Sequence, residues 1–285
     1  MNDFYTGSSW ALDPARIREL MSPLSLERLA WLDVMEETDS TNSALQRLPL
    51  EQQHAHAILA ESQTSGRGRR QRNWHSPAGC NVYLSLGWRF EDKRLPFSAL
   101  PLVAAVCTCR ALTRAGLRGH GIKWPNDILV DRAKIAGILV ELQAASGGPA
   151  HAVIGVGVNV SMAQGETARR EADASIDRSW TDMESQIPNH GNGISRNDIA
   201  AVLLEELLAG VLEYQSTGFG ELRAEWTELD LLAGQEVRLE LQGKFTDGIA
   251  CGISEDGALL LDVTGHDGGV ERQVIHAGEV SVHRD

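Results

Sequence analysis

The chain has 285 residues, of which 42% are hydrophobic and 23% are charged, and its net charge is −13. This composition is typical of a globular protein, and the length allows one large and one small domain. The acidic balance argues against general affinity for DNA, because binding to phosphates needs a cationic face. No apolar run approaches the roughly 20 residues that span a bilayer, and residues 1–21 lack a signal-peptide core. We therefore expect a cytoplasmic protein without a membrane partner.

The four cysteines favour reduced thiols over a metal site. Cys107 and Cys109 lie two residues apart in an apolar run, where a helix would point them to different faces. Neither this pair nor Cys80 and Cys251 has the spacing of zinc ligands. We expect no metal–thiolate centre.

The N-terminal part of the chain predicts a short helix and then a strand that leads into a polar cluster. Residues 11–21 are amphipathic, and residues 31–36 alternate as in a half-buried strand. The polar cluster reads Asp39-Ser40-Thr41-Asn42. It can cap a helix over residues 43–48, but a cap needs only one side-chain oxygen, so further groups are available to a ligand.

A strand predicted over residues 56–61 leads through Gln63 into an arginine-rich loop, residues 66–74. The loop reads GRGRRQRNW and concentrates four arginines in an acidic protein. Its glycines permit close approach of the backbone, and guanidinium groups bind phosphates and carboxylates. By itself the loop is equally typical of a solvated surface turn or a nucleic-acid patch.

The middle of the chain predicts a long apolar helix, residues 95–115, among several strands. The strands are predicted over residues 81–88, 122–124, 128–130, 135–142 and 152–160. Pro125-Asn126-Asp127 would form the turn between the second and third of them. Lys123 and Lys134 would then reach one surface from adjacent strands.

The C-terminal third changes character twice. Residues 161–197 are polar and aperiodic, which predicts a loop in which Trp180 either anchors the chain or stacks on a ligand. Residues 198–215 have the apolar stripe of an amphipathic helix, and residues 221–229 continue as helix. Five short alternating segments follow, separated by glycine turns, and they predict a small β-barrel.

Several separated motifs together resemble the biotin protein ligases. In chain order they are residues 39–42, Gln63, residues 66–74, Lys123-Trp124-Pro125-Asn126-Asp127, residues 134–141 and Gly155-Val156-Gly157-Val158-Asn159. Matches at several places in the family's order are more specific than any one motif. The resemblance implies an α+β fold: a mixed β-sheet backed by helices, as in the catalytic domain of biotin and lipoate ligases, which is similar to class II synthetases, and then a small C-terminal β-barrel. The implied domains are an extension over residues 1–30, a catalytic domain over 31–232 and the barrel over 233–285.

The resemblance also implies an activity, the attachment of biotin to a lysine of the biotin carboxyl carrier protein. Biotin and ATP would form biotinyl-5′-AMP with release of pyrophosphate. Mg²⁺ would come with ATP, and no cofactor would be permanently bound. Only about thirty residues precede the first family-like strand, which is too few for the DNA-binding domain of some members, so we expect a monofunctional enzyme that does not bind DNA. A homodimer is compatible with the resemblance.

By resemblance, the site residues fall into three groups. The catalytic residues would be Lys123, Arg67, Arg69 and Asp127. Biotin would be bound by Ser40, Thr41, Asn42, Gln63, Arg67, Gly68, Arg69, Lys134 and Gly137. ATP and the adenylate would be bound by Gly66, Arg69, Trp74, Lys123, Asn126, Asn159 and Trp180. The cations would stabilise charge on the phosphate, and Asp127 would orient or deprotonate the carrier lysine, unless it only caps the turn after Pro125.

One residue departs from the family pattern, because Gln71 stands where the arginine loop usually has glycine. If this position needs a positive φ, closure of the loop and affinity for the adenylate would change.

Two other interpretations stay open at this point. A lipoate or octanoate ligase shares the fold and the adenylating chemistry, and a biotin-sensing repressor or binding module would use the same pocket without the chemistry. The arginine loop together with residues 123–127 favours biotin, and the acidic balance weighs against a repressor.

Overall fold

The larger part of the chain folds around a seven-stranded mixed β-sheet. The computed structural model describes residues 11–282 except residues 93, 145–147, 163–169, 171, 177–178, 188–194 and 266–267. The strands of this sheet are β1 Trp31–Thr38, β2 His56–Gln63, β3 Asn81–Phe90, β4 His120–Lys123, β5 Asp127–Val130, β6 Ala133–Ala144 and β7 Ala150–Asn159. They pair in the order β1-β2-β3-β7-β6-β5-β4, and all neighbours are antiparallel except β1 and β2. The predicted α+β class is confirmed.

Helices pack against both faces of this sheet. The described helices are α1 Pro14–Leu20, α2 Pro23–Arg28, α3 Thr41–Gln46, α4 Leu50–Gln53, α5 Leu100–Arg114, α6 Met183–Gln186, α7 Arg196–Thr217 and α8 Gly220–Glu228. Helices α5 and α7 pack side by side, and a β-carbon at Gly210 would lie 2.1 Å from the Sγ of Cys107. Burial raises the pKa of that thiol to about 12. By length and composition the segment 97–114, which contains α5, could cross a membrane, and 67% of it is buried inside the protein.

The two faces of the sheet have different neighbours, because side chains alternate along each strand. Leu86 of β3 and Ile154 of β7 point to the main core, where α5 and α7 pack. On the opposite face Ile58 and Val153 form a small separate cluster with Leu45 of α3. The remainder of this second face is available for a site.

The N-terminal helices are joined to the body of the protein. The backbone N–H of Leu12 donates to the Glu61 carboxylate at 2.6 Å, and that of Asp13 donates to Oδ1 of Asn197 at 2.9 Å. Farther along, the N–H of Ser22 donates to the carboxylate of Glu205 at 2.5 Å. Residues 12–28 therefore pack on α7, while the division of the chain into three domains stays a prediction.

The C-terminal strands form a five-stranded antiparallel sheet. Its strands are β8 Glu236–Leu241, β9 Lys244–Ile253, β10 Leu259–Thr264, β11 Val270–Ile275 and β12 Glu279–Val282, in the order β11-β10-β9-β8-β12. The five strands were predicted correctly, but the predicted barrel was wrong. Closure requires the two end strands to pair, and in the described structure β11 pairs only with β10 and the short β12 only with β8.

Candidate functional site

A cavity of about 160 Å³ opens on the second face of the large sheet. Every residue that the sequence analysis proposed for the site lines this cavity, except Gly66. Gly66 lies at the base of the arginine loop, where its carbonyl accepts from the N–H of Trp74 at 2.8 Å and a β-carbon would lie 2.5 Å from the Trp74 carbonyl. The fold brings the predicted residues together, and the roles assigned to them stay predictions.

The floor of the cavity is made of glycines on β6 and β7. Gly137 pairs with Gly157, and Gly155 is the next residue of β7 on the same face. A β-carbon at Gly157 would lie 2.6 Å from the indole of Trp74, and one at Gly155 would lie 2.2 Å from Oδ1 of Asn42. The glycines are therefore needed for space, because these two side chains lie directly on the strands.

One end of the cavity holds a network of neutral polar groups. Oδ1 of Asn42 accepts from the Ser85 hydroxyl at 2.5 Å, and that hydroxyl lies 2.7 Å from Oγ1 of Thr41. The N–H of Thr41 donates to Oε1 of Gln63 at 2.9 Å. Ser40 is the N-cap of α3, yet its side chain makes no capping hydrogen bond. We call Ser40, Thr41, Asn42 and Gln63 the neutral end; Ser85 is buried behind it and completes the network without lining the cavity. The sequence analysis missed Ser85, a lone serine in a buried strand.

The side chain of Asp39 explains how this turn is held without a capping hydroxyl. Its carboxylate accepts from the N–H of Ser40 at 2.8 Å and makes two hydrogen bonds with the guanidinium of Arg47, at 2.8 and 2.9 Å. The hydrogen bonds from Arg47 hold the pKa of Asp39 well below its usual range. This ion pair fixes the start of α3 from outside the cavity.

The other end of the cavity is cationic. Nζ of Lys134 lies 2.6 Å from Oδ1 of Asp127 and 4.9 Å from the ring centroid of Trp74. Burial lowers the pKa of Lys123, and the Asp127 carboxylate opposes this shift. Burial also lowers the pKa of Arg69, whose Nη1 donates to Oδ1 of Asn126 at 3.3 Å. We call Arg69, Lys123, Asp127 and Lys134 the cationic end.

Adjacent strands were predicted for the two lysines, and this prediction was wrong. Lys123 ends β4 and Lys134 lies in β6, with β5 between them. Asp127 begins β5 and pairs in register with both Lys123 and Gly137. The intervening strand thus places a carboxylate between two cations. Asp127 also forms an ion pair with Lys134. A residue that only capped the turn after Pro125 would not need this contact.

The arginine loop reaches both ends of the cavity through its first two arginines. Nη2 of Arg67 donates to Oε2 of Glu141 at 2.7 Å, and the same carboxylate oxygen accepts from Nδ2 of Asn42 at 2.8 Å. Arg69 instead points to Asn126 at the cationic end. The sequence analysis did not assign a role to Glu141, although it lies in one of the matched motifs.

The last two arginines of the loop contact the C-terminal sheet. Nη2 of Arg72 donates to the Glu279 carboxylate at 2.5 Å, and Nη1 of Arg70 lies 3.7 Å from the same carboxylate. Nη2 of Arg70 also donates to the backbone carbonyl of Glu240 at 3.3 Å. Gly278, Glu279 and Val280 line the cavity. Sequence reasoning missed Glu279, because its contact depends on how the two sheets dock.

The loop adopts a left-handed turn at Arg70 and Gln71, with φ angles of 54° and 60°. The condition set in the sequence analysis is therefore met: the position where the family usually has glycine needs a positive φ. A residue with a β-carbon pays a steric cost in this conformation.

The segment around Trp180 forms one wall of the cationic end. The N–H of Lys134 donates to the Ser179 carbonyl at 2.9 Å, and Nδ2 of Asn159 donates to the Thr181 carbonyl at 3.0 Å. The indole N–H of Trp180 donates to Asp173 at 2.9 Å. Trp180 thus anchors the segment and lines the cavity. Residues 172–175 and α6 are helical, so the predicted loop over 161–197 was partly wrong; much of the remaining segment lies outside the described residues.

The fold and the site together define a class. One cavity joins a neutral, hydrogen-bonding end to a cationic end, which suits a small acid with a polar neutral head. Residues 34–159 match the Biotin/lipoate A/B protein ligase family, and residues 233–282 match the Biotin protein ligase C terminal domain. The class is therefore that of the biotin and lipoate protein ligases.

Individual relatives narrow this class. The chain is 34% identical over 269 residues to the bifunctional ligase/repressor BirA of Escherichia coli, covering 90% of this chain and 81% of that protein. It is 34% identical to the biotin–[acetyl-CoA-carboxylase] ligase of Mycobacterium tuberculosis, covering 87% and 88%. The structure of biotin protein ligase from Aquifex aeolicus in complex with biotin and ATP superposes with a TM-score of 0.70 at 25% identity, covering 89% and 99%. The chain belongs to the biotin protein ligase family.

Proposed function

We propose that the protein is a ligase that attaches biotin to a lysine of the biotin carboxyl carrier protein, using ATP and forming biotinyl-5′-AMP. The observation that carries this proposal is the convergence, in one cavity, of the neutral end and the cationic end defined above. The ureido ring of biotin is neutral and needs hydrogen-bond partners, while its carboxylate and the ATP phosphates are anionic. The two ends of the cavity match these two parts of the substrates.

In the first step, a carboxylate oxygen of biotin attacks the α-phosphorus of ATP. The new P–O bond forms as the bond to pyrophosphate breaks, and pyrophosphate leaves with the electron pair. Negative charge grows on the phosphate oxygens, and Lys123 and Arg69 are the cations that we assign to stabilise it. We do not assign this role to Arg67, which the sequence analysis grouped with them, because its guanidinium pairs with Glu141 beside the neutral end. Lys134 would hold the biotin carboxylate beside the two assigned cations, because its ammonium group lies at the same end of the cavity, next to Asp127 on the neighbouring strand.

In the second step, the neutral ε-amine of the carrier lysine attacks the activated carbonyl carbon. The amide bond forms, the bond to the phosphate oxygen breaks, and AMP leaves with the electron pair. We assign Asp127 to orient the amine or to accept its proton, since its side chain lines the cavity at the cationic end. The arginine loop would exclude water from the adenylate, which is a reactive mixed anhydride.

The remaining contacts of the proposed site follow the same division. Ser40, Thr41, Asn42, Gln63 and Gly68 would surround the biotin ring, and Trp74, Asn126, Asn159 and Trp180 would surround the nucleotide. Gly137 leaves the room that Trp74 and Lys134 occupy, and Gly66 lets the base of the arginine loop pass close to the Trp74 carbonyl. Mg²⁺ would enter with ATP, because magnesium is usually held by substrate phosphates with one or two protein oxygens, here those of Asn126 and Asn159. It would neutralise charge on the phosphates.

We further propose a cytoplasmic enzyme without a permanently bound cofactor that does not bind DNA. The net charge of −13 supports the last point, because the protein would repel phosphates outside its cationic cavity. A homodimer stays a prediction, and analytical ultracentrifugation of the purified chain would decide it.

The test is pyrophosphate release from ATP and Mg²⁺ with biotin, lipoate or octanoate supplied separately. We expect release with biotin alone, and a loss of ~100-fold or more in Lys123→Ala, because a charge-stabilising group is removed. The exposed Lys244→Ala is the matched control and should behave as the wild type. Release with lipoate would move the assignment to the rival ligase. Biotin binding without release would indicate a sensor.

A further inference from the structure

Glu141 does not line the cavity, yet it holds two residues that do. Its Oε2 accepts from the Arg67 guanidinium at 2.7 Å and from the Asn42 amide at 2.8 Å. The side chain of Glu141 is 26% exposed and that of Arg67 is 37% exposed, so the ion pair is partly shielded from water. One carboxylate therefore joins the arginine loop, α3 and β6.

The position of this pair distinguishes the two ends of the cavity. Glu141 lies seven residues beyond Lys134 on β6, which separates their Cα atoms by roughly 20 Å. At the Lys134 end, Lys123 pairs in register with Asp127, and Arg69 lines the same part of the cavity through its contact with Asn126. At the Glu141 end, Arg67 is the cation that lines the cavity beside uncharged Thr41, Asn42 and Gln63.

We propose that Glu141 is a positioning residue that sets the polarity of the cavity. By neutralising Arg67 it makes the neutral end electrically neutral, so this end accepts an uncharged ring and rejects a carboxylate. This inference rests on the proposed function, because it states how the enzyme orients biotin with its carboxylate toward the lysines. It adds a specificity-determining residue that does not itself touch the substrate.

The physical reason is the high affinity of a guanidinium group for carboxylates. An arginine whose charge is not compensated offers a planar fork of donors that binds carboxylates with two hydrogen bonds. Without Glu141, Arg67 would present such a fork beside the Asn42 network. A small acid could then bind at the neutral end and block the ring of biotin.

The test is Glu141→Gln, which keeps the size of the side chain and an oxygen for Asn42 but removes the charge. We expect the KM for biotin in pyrophosphate release to rise ~3–10-fold with little change in kcat, as for a partly shielded ion pair. Pentanoate, which has a carboxylate tail without a ring, should inhibit this variant at ~3–10-fold lower concentration than the wild type. The double variant Arg67→Gln with Glu141→Gln should return pentanoate inhibition to the wild-type level.

Glu91→Gln is the matched control, because Glu91 forms a surface ion pair with Arg89 and lies outside the cavity. It should leave both the biotin KM and pentanoate inhibition unchanged. Unchanged pentanoate inhibition in Glu141→Gln would overturn the inference. So would a double variant that stays sensitive, because the effect would then come from Asn42 or from a general loosening of the fold.

A direct binding measurement separates this inference from the proposed function. If the wild type releases no pyrophosphate with biotin, the proposed function fails. Calorimetric titration with pentanoate alone still tests Glu141. Tighter binding to Glu141→Gln than to both the wild type and the double variant supports the inference, and equal binding to all three overturns it.

Discussion

In the seven-stranded sheet, β3 is buried along nearly its entire length, whereas β9 and β11 of the five-stranded sheet leave many of their residues exposed. Phe245 of β9 is 65% exposed and Val270 of β11 is 69% exposed. The large sheet has neighbours on both faces, so its backbone is a rigid base for the glycine floor. The small sheet contributes Glu279, which binds two flexible arginines of the loop.

This difference teaches which part of the site depends on shape and which on charge. The floor on the large sheet excludes even a single β-carbon, because Trp74 and Asn42 already fill the space. The contact from the small sheet is an ion pair at the rim of the cavity, with the Arg72 side chain 43% exposed. Changes to the floor should therefore cost more activity than changes to the rim.

The largest effect is expected at the floor, with Gly157→Ala. The new β-carbon would lie 2.6 Å from the Trp74 indole, so the end of the arginine loop must move. We expect kcat/KM for biotin to fall ~100-fold, since misplacing a binding group by about 1 Å has effects of this size. Gly220→Ala is the control, because a β-carbon there meets no atom within 4 Å. Equal rates for the two variants would contradict a floor shaped by contact.

The second effect concerns Lys123, at the edge of the large sheet. Burial lowers its pKa below the ordinary value of 10.5, so it loses its proton earlier as pH rises. We expect pyrophosphate release to fall ~10-fold per pH unit above that lowered pKa. In Lys123→Arg the guanidinium keeps its charge, so the alkaline decline should begin at higher pH. Coincident pH profiles, each scaled to its own maximum, would argue against Lys123 as the charge-stabilising group.

The lowered pKa of Lys123 also determines how this residue's contribution to the free energy of unfolding changes with pH. Between the lowered pKa of Lys123 and 10.5, the unfolded chain binds more protons at this group than the folded protein does. The contribution of Lys123 to the free energy of unfolding therefore rises with pH across that window. Denaturation of the wild type and Lys123→Met across the window would show whether the slope depends on this lysine.

A smaller effect is expected at the rim, with Glu279→Gln. Loss of the carboxylate removes the ion pairs that Arg70 and Arg72 make with Glu279, so the loop should close less often. We expect the KM for ATP to rise ~3–10-fold, as for a partly shielded ion pair. Asp247→Asn removes the Arg238 pair from the exposed surface of the same sheet and should change the KM less than ~2-fold. Equal effects in both variants would mean that the sheet acts through its stability and not through the loop.

The smallest effect is expected within the loop itself, with Gln71→Gly. Gln71 has a φ of 60°, and glycine adopts this conformation without a steric cost. If the closed turn becomes cheaper by ~0.5–1 kcal/mol, the adenylate should dissociate ~2–5-fold more slowly. Gln71→Ala keeps the β-carbon, so the adenylate should dissociate from this variant at the wild-type rate. Faster dissociation of the adenylate from the glycine variant would show that backbone freedom in the open loop outweighs the relief of strain.

Much of the local structure could be predicted from the sequence, because it depends on neighbours in the chain. The alternation of apolar residues predicted the strands to within a few residues, and the apolar stripe predicted α7. Fifteen of the sixteen residues proposed from the resemblance to the family line the cavity, all but Gly66, and their roles stay predictions.

Only the tertiary structure decided the contacts that join distant segments. Glu141 meets Arg67 across 74 residues, and Glu279 meets Arg72 across 207. No periodicity reports such pairs, because they depend on strand order and on the docking of two sheets. The open C-terminal sheet and the placement of β5 between the two lysines are further examples. The motifs that resemble the family indicated which residues lie at the site, and long-range packing decided which charges stand together within it, because charge pairing is set by distance in space and not along the chain.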